Sequence, residues 1–339
     1  MKAIDWGSLG FTYMKTNYNI RAYYRDGKWS ELEVSDSEYI PMHMAASCLH
    51  YSQEAFEGLK AYCGADGKIR LFRVEENAKR LINSARYLCM AEPSIEMFVE
   101  ACKKAVQLNR EFVPPYGTGA SLYLRPLLIG TSPQIGVGPA SEYMFMVFVM
   151  PVGPYFKSGF KPIKVIIDRD HDRAAPKGTG HIKAGGNYAA SIYSGEKAHD
   201  MGYSNVLYLD AVERKYIDEC GAANFFGIKN NTYITPNSHS VLPSITNMSI
   251  RELAADLGLK VEMRKVEVSE LGTFEECGAC GTAAVISPIG SVYDPDTKHT
   301  YTFGDGTTAG PICEKMYNTL RGIQYGEIED SHNWCTIVE

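Results

Sequence analysis

Gly178-Thr179-Gly180-His181-Ile182-Lys183-Ala184-Gly185-Gly186-Asn187-Tyr188 is a glycine-rich stretch around a single lysine. A glycine-rich loop that precedes a helix can bind phosphate through its backbone N–H groups. The P-loop spacing is absent, because no Lys followed by Ser or Thr closes this loop. A lone lysine among glycines is also common in exposed turns. The stretch alone therefore leaves a phosphate loop and an ordinary turn open.

Composition places the chain among ordinary globular proteins. Its 339 residues are 45% hydrophobic and 22% charged, and at about 150 residues per domain this length predicts roughly two domains. The net charge is −6, from 34 basic and 40 acidic residues. A broad basic surface for nucleic acid or an anionic membrane is therefore not expected. No apolar run reaches the ~18 residues that a membrane span needs, so no membrane partner is predicted.

The nine cysteines are odd in number and scattered along the chain. The N-terminal residues lack the apolar core of a signal peptide, and the two features together predict a reducing, cytoplasmic location. Cys89 and Cys102 fall at apolar positions of helical periodicity. Both are predicted to be buried as small hydrophobic side chains.

Apolar periodicity predicts an α/β fold with helices and strands in both halves of the chain. Helices are predicted over residues 74–90, 95–111, 188–200 and 246–257, and strands over 19–24, 68–73, 121–129, 143–152, 161–168, 205–210 and 261–268. Two prolines and two glycines within residues 151–159 predict a linker. The expected domains are a small N-terminal α+β domain, 1–150, and a larger cofactor-binding α/β domain, 160–339.

Two further stretches carry polar groups whose roles stay open on residue type alone. Ile217-Asp218-Glu219-Cys220 contains two carboxylates, and a surface charge is the default explanation for each. Pro243-Ser244-Ile245-Thr246 precedes a predicted helix. Its N–H groups and hydroxyls suit an anion at a helix N-terminus, but an ordinary N-cap explains them equally well.

Lys183-Ala184-Gly185-Gly186-Asn187-Tyr188 resembles the cofactor-lysine motif of the branched-chain amino acid aminotransferases, which are pyridoxal-phosphate enzymes of fold type IV. The resemblance extends from Tyr51-Ser52-Gln53-Glu54-Ala55-Phe56-Glu57-Gly58-Leu59-Lys60-Ala61, through Tyr123-Leu124-Arg125-Pro126, to Gly322-Ile323-Gln324-Tyr325-Gly326. It implies the fold of that family, with the cofactor, pyridoxal 5′-phosphate, between the two domains.

The resemblance assigns cofactor roles by matching position. Lys183 becomes the catalytic residue, which binds the cofactor covalently and then acts as general base and acid. An amine forms such a covalent bond only when it is deprotonated. Glu219 pairs with the pyridine nitrogen, and Arg80 grips the phosphate with its guanidinium fork. The implied cofactor-binding residues are Arg80, Lys183, Tyr188, Glu219, Ile245, Thr246 and Thr282. No metal ligand is implied.

The resemblance also implies a substrate pocket. Strand alternation places Tyr123 and Arg125 on one face, where they can recognise a carboxylate beside an apolar wall. The pocket must accept a branched side chain in one half-reaction and the γ-carboxylate of glutamate in the other. Any one of these aromatic residues alone is more simply explained as core. The implied substrate-binding residues are Tyr51, Phe56, Tyr123, Arg125, Val137, Tyr155, Ala222 and Ala283.

The implied activity is reversible amino transfer between L-leucine, L-isoleucine or L-valine and 2-oxoglutarate, through a ping-pong mechanism. The resemblance further implies amino acids and 2-oxo acids as partners, a role in branched-chain amino acid biosynthesis, and a homodimer or a multiple of dimers. Two rivals share the fold, an aminodeoxychorismate lyase-like enzyme and a D-amino acid aminotransferase, and Tyr123-Leu124-Arg125-Pro126 disfavours both. A non-catalytic regulator that binds pyridoxal or phosphate is a third.

Cys277-Gly278-Ala279-Cys280 departs from the mammalian members, whose C-x-x-C follows the Gly-Thr-Ala turn, whereas this one precedes Gly281-Thr282-Ala283. A lone C-x-x-C can be a redox pair or half of a zinc site. No second Cys/His pair stands out, so zinc is disfavoured. Two buried thiols beside the cofactor are the favoured explanation.

Overall fold

The computed structural model describes residues 4–155 and 159–339, and these form two compact units. The first unit runs to Tyr155 and also contains Ile182–Gly185 and Gly322–Glu339. The second unit comprises the other described residues, up to His181 and then Gly186–Arg321. Within the described ranges, no helix combines the length and the apolar character required to cross a bilayer.

The strands, in chain order, are β1 (Asn19–Arg25), β2 (Lys28–Trp29), β3 (Glu33–Ser35), β4 (Glu54–Phe56), β5 (Leu59–Cys63), β6 (Ile69–Phe72), β7 (Ser121–Gly130), β8 (Tyr143–Val152), β9 (Ile163–Ile167), β10 (Asn205–Leu209), β11 (Ile217–Cys220), β12 (Ala223–Lys229), β13 (Thr232–Pro236), β14 (Lys260–Arg264), β15 (Glu276–Gly281), β16 (Val285–Asp294), β17 (His299–Thr302) and β18 (Cys335–Val338). The helices are α1 (Ser47–Tyr51), α2 (Val74–Tyr87), α3 (Ile95–Gln107), α4 (Gly185–Ala189), α5 (Ile192–Asp200), α6 (Ile245–Asp256) and α7 (Pro311–Gln324), with short 3-10 helices at Arg110–Phe112 and Val268–Thr273.

The first unit is built on an antiparallel sheet in the order β18-β6-β5-β7-β8-β1-β2, to which β3 adds at β1 and β4 at β7. α3 packs on β8 and β1 and against α2. Its apolar stripe supplies Phe98, which stacks on Phe145 of β8 with 5.8 Å between ring centroids. Helical periodicity and strand alternation thus meet in one core.

A break between two short strands shapes the edge of β7. β4 pairs with the end of β7 and β5 with its beginning, so Glu57 and Gly58 lie in the gap, where the Glu57 N–H donates to the Pro126 carbonyl. A Cβ at Gly58 would lie 2.2 Å from the hydroxyl oxygen of Tyr123. Only glycine therefore fits there, and its small size lets the Tyr123 side chain cross the gap.

The second unit contains a closed barrel of six strands in the order β9-β10-β11-β12-β15-β16, with β9 parallel to both of its neighbours. β13 and β14 extend the sheet from β12, and β17 pairs with β16. The barrel core is apolar, with members such as Val165, Leu207 and Phe225. α6 packs against β14 and β15.

The predicted α/β fold class is confirmed, and most predicted elements agree with the structure to within a few residues. The predicted helix over 188–200 is confirmed at α5 (Ile192–Asp200), but its first residues are wrong, because a break at Ala190 and Ser191 separates α5 from α4, which begins at Gly185. Cys102 is buried, but Cys89 is exposed. α2 ends at Tyr87 and Cys89 has a φ of 53°, which takes its side chain off the helical stripe.

The division into units differs from the predicted domain limits at the C-terminus. β18 pairs with β6, so Gly322–Glu339 belongs with the first unit and not with a domain over 160–339.

In the predicted linker, Pro151 and Val152 extend β8, and residues 156–158 lie outside the described residues. β8 pairs with β1 only as far as Val147, so Pro151 lies where one side of the strand lacks that partner, as strand prolines require.

Candidate active site

Lys183 is held by backbone contacts on both sides. Its carbonyl accepts a hydrogen bond from the Phe56 N–H (3.1 Å), and its own N–H donates to the Ser84 hydroxyl of α2 (3.0 Å). Ala184 forms a bridge with Ala55 of β4. The Lys183 side chain is half-buried, and its Nζ lies 4.6 Å from the centre of the Phe56 ring. Ser84 was not predicted, because a serine on a helix carries no signal of a distant partner.

Tyr123 and Arg125 join Lys183 around the same ring. The Arg125 guanidinium carbon lies 4.9 Å from the centre of the Phe56 ring, and its Nη2 donates to the Tyr123 hydroxyl oxygen (3.0 Å). Burial raises the pKa of Tyr123, so its hydroxyl stays protonated at neutral pH. The first unit therefore brings four predicted site residues into one group.

Arg80 forms a buried ion pair that the sequence did not reveal. Its Nε and Nη2 donate to the two carboxylate oxygens of Glu57 at 2.7 and 2.8 Å, and the Asn77 side-chain amide donates to the same carboxylate (2.7 Å). Glu57 is fully buried. This edge of the guanidinium faces Glu57, so an anion would have to meet the opposite, Nη1–Nη2 edge.

The remaining predicted wall residues of the first unit lie at its surface. Tyr51 is 40% exposed, Val137 86% and Tyr155 57%. The Tyr51 hydroxyl donates to the carbonyl of Ile135, so Tyr51 lies next to the loop that carries Val137. Phe11 was not predicted from the sequence as a site residue, but its ring contacts Tyr123 edge-on with 4.9 Å between centroids.

In the second unit, Glu219 is buried at the end of β11 and is 2% exposed. Its Oε1 accepts hydrogen bonds from the Leu242 N–H and the Asn224 side-chain amide, and its Oε2 accepts from Arg173 Nε at 3.0 Å. Asp218 is also buried, and burial raises its pKa, so a surface charge is the wrong explanation for both carboxylates.

The start of α6 lies beside Glu219. The Asn224 side chain donates to the Leu242 carbonyl (3.1 Å) and accepts from the Asn247 side chain (2.9 Å), which ties β12 to the segment before the helix. The Ser244 hydroxyl caps α6 by accepting from the Asn247 N–H (3.2 Å). Ile245 and Thr246 are therefore the first helical residues, where backbone N–H groups favour an anion.

Two hairpin turns lie at one end of the sheet, because β12 runs antiparallel to both β11 and β15. One turn carries Ala222, and the other carries Thr282 and Ala283 between the paired residues Gly281 and Val285. Ala222 and Ala283 are exposed on this unit. Val285 has a φ of 68°, a conformation that a β-branched residue rarely adopts.

Tyr188 is half-buried on α4, and its neighbour Asn187 fixes the glycine-rich loop. The Thr179 hydroxyl donates to the Asn187 side-chain oxygen (2.6 Å), and the Asn187 amide donates back to the Thr179 carbonyl (2.7 Å). The loop is thus joined to the helix that carries Tyr188.

Residues 54–292 match the amino-transferase class IV family model. The chain belongs to the class IV aminotransferases. It is 46% identical over 346 residues to the branched-chain-amino-acid aminotransferase of Haemophilus influenzae, with all of both chains covered. The solved structure of the Escherichia coli branched-chain amino acid aminotransferase is similar with a TM-score of 0.81, at 29% identity over 96% of this chain and 100% of that one. A second solved branched-chain amino acid aminotransferase, from T.th. and with pyridoxamine 5′-phosphate, has a TM-score of 0.80, at 26% identity and the same coverage.

The two adjacent glycines of this class IV aminotransferase are expected to differ in tolerance. A Cβ at Gly185 would lie 1.7 Å from a carboxylate oxygen of half-buried Glu54, whereas a Cβ at Gly186 would meet no described atom within 4 Å. Gly185→Ala should displace Glu54 and lower kcat/KM by up to about 100-fold, the cost of a small misplacement near a reacting group. Steady-state kinetics with L-leucine measure this.

Gly186→Ala is the matched control, and its kcat/KM should equal that of the wild type. Adding Glu54→Ala to Gly185→Ala removes the obstructing carboxylate and should restore part of the loss. Equal activity of the two single alanine variants would contradict the steric explanation.

The two thiols of the C-x-x-C stretch cannot bond to each other. Cys277 and Cys280 lie three residues apart on the regularly paired strand β15, so their side chains point to opposite faces of the sheet. Both are buried, as predicted, and burial raises the pKa of each thiol. Neither forms the reactive thiolate readily.

Cys277→Ser and Cys280→Ser are therefore expected to leave the peroxide sensitivity of the activity unchanged. Cys89→Ser is the matched comparison, because Cys89 is exposed. Activity remaining after a timed peroxide treatment measures the effect. Protection by either buried substitution would show that β15 opens to the oxidant.

Proposed function

We propose that this protein is a branched-chain amino acid aminotransferase, which transfers the amino group reversibly between L-leucine, L-isoleucine or L-valine and 2-oxoglutarate with pyridoxal 5′-phosphate. Full-length similarity to relatives of that name supports the reaction. The observation that carries the proposal is the group around Phe56, in which a lysine amine and an arginine–tyrosine pair share one aromatic ring.

The side chains present fit the cofactor. Lys183 supplies an amine, Arg80 and the N-terminus of α6 supply positive charge for a phosphate, and buried Glu219 supplies an acceptor for a ring nitrogen. When bound, pyridoxal phosphate supplies an electron sink for the bond that breaks at the substrate Cα. These cofactor assignments to Arg80, Lys183, Tyr188, Glu219, Ile245, Thr246 and Thr282 are part of the proposal.

The chain's own residues bind the substrate and move its proton. Arg125 and Tyr123 bind a substrate carboxylate, and Phe56 offers an apolar face for the branched side chain. Lys183 Nζ would serve as general base and acid for the proton of the substrate Cα. The Phe56 ring lies against this amine, with 4.6 Å between Lys183 Nζ and the ring centre. Tyr51, Val137, Tyr155, Ala222 and Ala283 complete the proposed wall.

Absorbance spectroscopy of the purified holoprotein tests this proposal. L-Leucine should remove the visible band of the bound cofactor, and 2-oxoglutarate should restore it, because the two half-reactions use one site. A D-amino acid aminotransferase would instead respond to D-alanine, and a lyase would release product without needing 2-oxoglutarate. Bleaching by D-alanine alone, or no recovery with 2-oxoglutarate, would refute the branched-chain assignment.

We further propose a homodimer. Met44, Ile135 and Val137 are 82%, 75% and 86% exposed, and they lie on neighbouring segments joined by the Gln134 N–H to Ala45 carbonyl bond. An exposed apolar group of this kind is typical of an interface. Light scattering should give the mass of two chains.

A cytoplasmic location is also proposed from the nine free cysteines, and cell fractionation tests it.

A further inference from the structure

Glu219, the proposed cofactor acid, forms a buried ion pair with Arg173 in the second unit. Arg173 Nε lies 3.0 Å from Glu219 Oε2, and the two side chains are only 6% and 2% exposed. No resemblance or motif singled out Arg173, which precedes the glycine-rich loop in Asp172-Arg173-Ala174-Ala175. A pair this deeply buried costs desolvation free energy unless hydrogen bonds satisfy the remaining polar atoms of both side chains.

The backbone of two loops fixes the Arg173 guanidinium. Nη1 donates to the Ser240 carbonyl and to the Gly180 carbonyl (3.3 Å), and Nη2 also donates to Gly180 (3.3 Å). A Cβ at Gly180 would lie 2.3 Å from the Ser240 carbonyl oxygen. Glycine is therefore required at position 180 if the Gly180 and Ser240 carbonyls are both to approach the Arg173 guanidinium. Both Nη atoms are then held by these carbonyls, and Nε faces Glu219.

The groups that contact Glu219 favour its ionised form. A buried carboxyl by itself tends to become neutral, because desolvation penalises the charge. Arg173 Nε, the Leu242 N–H and the Asn224 amide are all donors, and a carboxylate accepts from each of them. The charged donor contributes most, since ionic hydrogen bonds are about twice as strong as neutral ones.

We infer that Arg173 is a positioning residue that keeps Glu219 ionised and fixes its orientation, so that the proton shared with the cofactor resides on the ring nitrogen. The inference rests on the proposed role of Glu219 at that nitrogen. In this role Arg173 affects the cofactor through Glu219, whereas a residue whose sole role is to join two loops would affect it independently of Glu219.

A double-mutant cycle separates these two roles. The full-length variants are Arg173→Gln, Glu219→Gln and the double substitution, with Arg169→Gln as matched control, because Arg169 forms a two-bond ion pair with Asp294 in the same unit. The readouts are the dissociation constant of pyridoxal phosphate and the pH dependence of the bound cofactor's absorbance band. Neither readout requires turnover.

Each single variant at Arg173 and Glu219 should bind pyridoxal phosphate about 10- to 100-fold more weakly, the range for a hydrogen bond to a charged group. Both should shift the pH profile in the same direction. The double variant should bind no more weakly than Glu219→Gln, because coupled residues are non-additive. Arg169→Gln should match the wild type in both readouts.

Additive losses, or a wild-type pH profile in Arg173→Gln, would overturn the inference. If Arg173→Gln does not fold, Arg173→Lys takes its place, and it should keep the wild-type pH profile because the charge is retained. A pH profile like that of Glu219→Gln in the Arg173→Lys variant would also overturn the inference.

Unchanged cofactor binding and an unchanged pH profile in Glu219→Gln itself would instead refute the proposed role of Glu219, and with it the inference. Failure of wild-type protein to respond to L-leucine would refute the proposed function.

Discussion

Lys183→Ala is expected to abolish transamination while leaving the cofactor site able to bind pyridoxal phosphate non-covalently. The substitution removes the amine that lies 4.6 Å from the Phe56 ring centre, but it leaves Arg80, Glu219 and the N-terminus of α6 in place. Loss of a positioned general base and acid typically costs about 10²- to 10⁴-fold in rate. Stopped assays of kcat with L-leucine and 2-oxoglutarate measure the loss, and absorbance spectra report the change in cofactor attachment.

Lys79→Ala is the matched control, because Lys79 is an exposed lysine of the same unit that pairs with Glu76. Its kcat should equal that of the wild type. Added methylamine should restore part of the Lys183→Ala activity, since a small free amine can enter the space the side chain leaves. Wild-type turnover by Lys183→Ala would refute the assignment of the catalytic residue.

Glu57→Ala is expected to weaken both the fold and cofactor binding. Glu57 is fully buried and holds Arg80 through two hydrogen bonds and Asn77 through a third. Removing one partner leaves the guanidinium buried without its counter-charge, which costs about 3–5 kcal/mol of unfolding free energy. Arg80 also loses the contact that orients it, so the dissociation constant of pyridoxal phosphate should rise. Urea unfolding of the apoprotein and a cofactor titration measure the two effects.

Glu57→Gln should be less severe, because it keeps the shape and one acceptor. Glu76→Gln is the control, since the exposed Glu76–Lys79 pair contributes at most about 1 kcal/mol. If Glu57→Ala matched the wild type in stability and in cofactor affinity, the buried pair would have no role in placing Arg80.

Local patterns predicted the parts of the molecule that depend on short-range chemistry. The stripe of α3 follows from its helical spacing, and the shared direction of Tyr123 and Arg125 follows from strand alternation. The same reasoning failed at the first residues of the helix predicted over 188–200, where apolar spacing does not reveal the break at Ala190 and Ser191. It also failed at Cys89, because the left-handed backbone that turns it outward depends on how α2 ends.

The fold class and, through the motif around Lys183, the family of the chain follow from the order of its residues. The buried groups that hold the site residues in place became visible in the folded chain: Glu57 for Arg80, Ser84 for Lys183 and Arg173 for Glu219. Periodicity and motifs report how a residue relates to its near neighbours in the chain. An ion pair or hydrogen bond between distant segments has no such period, because it arises when sheet pairing and loop packing bring those segments together.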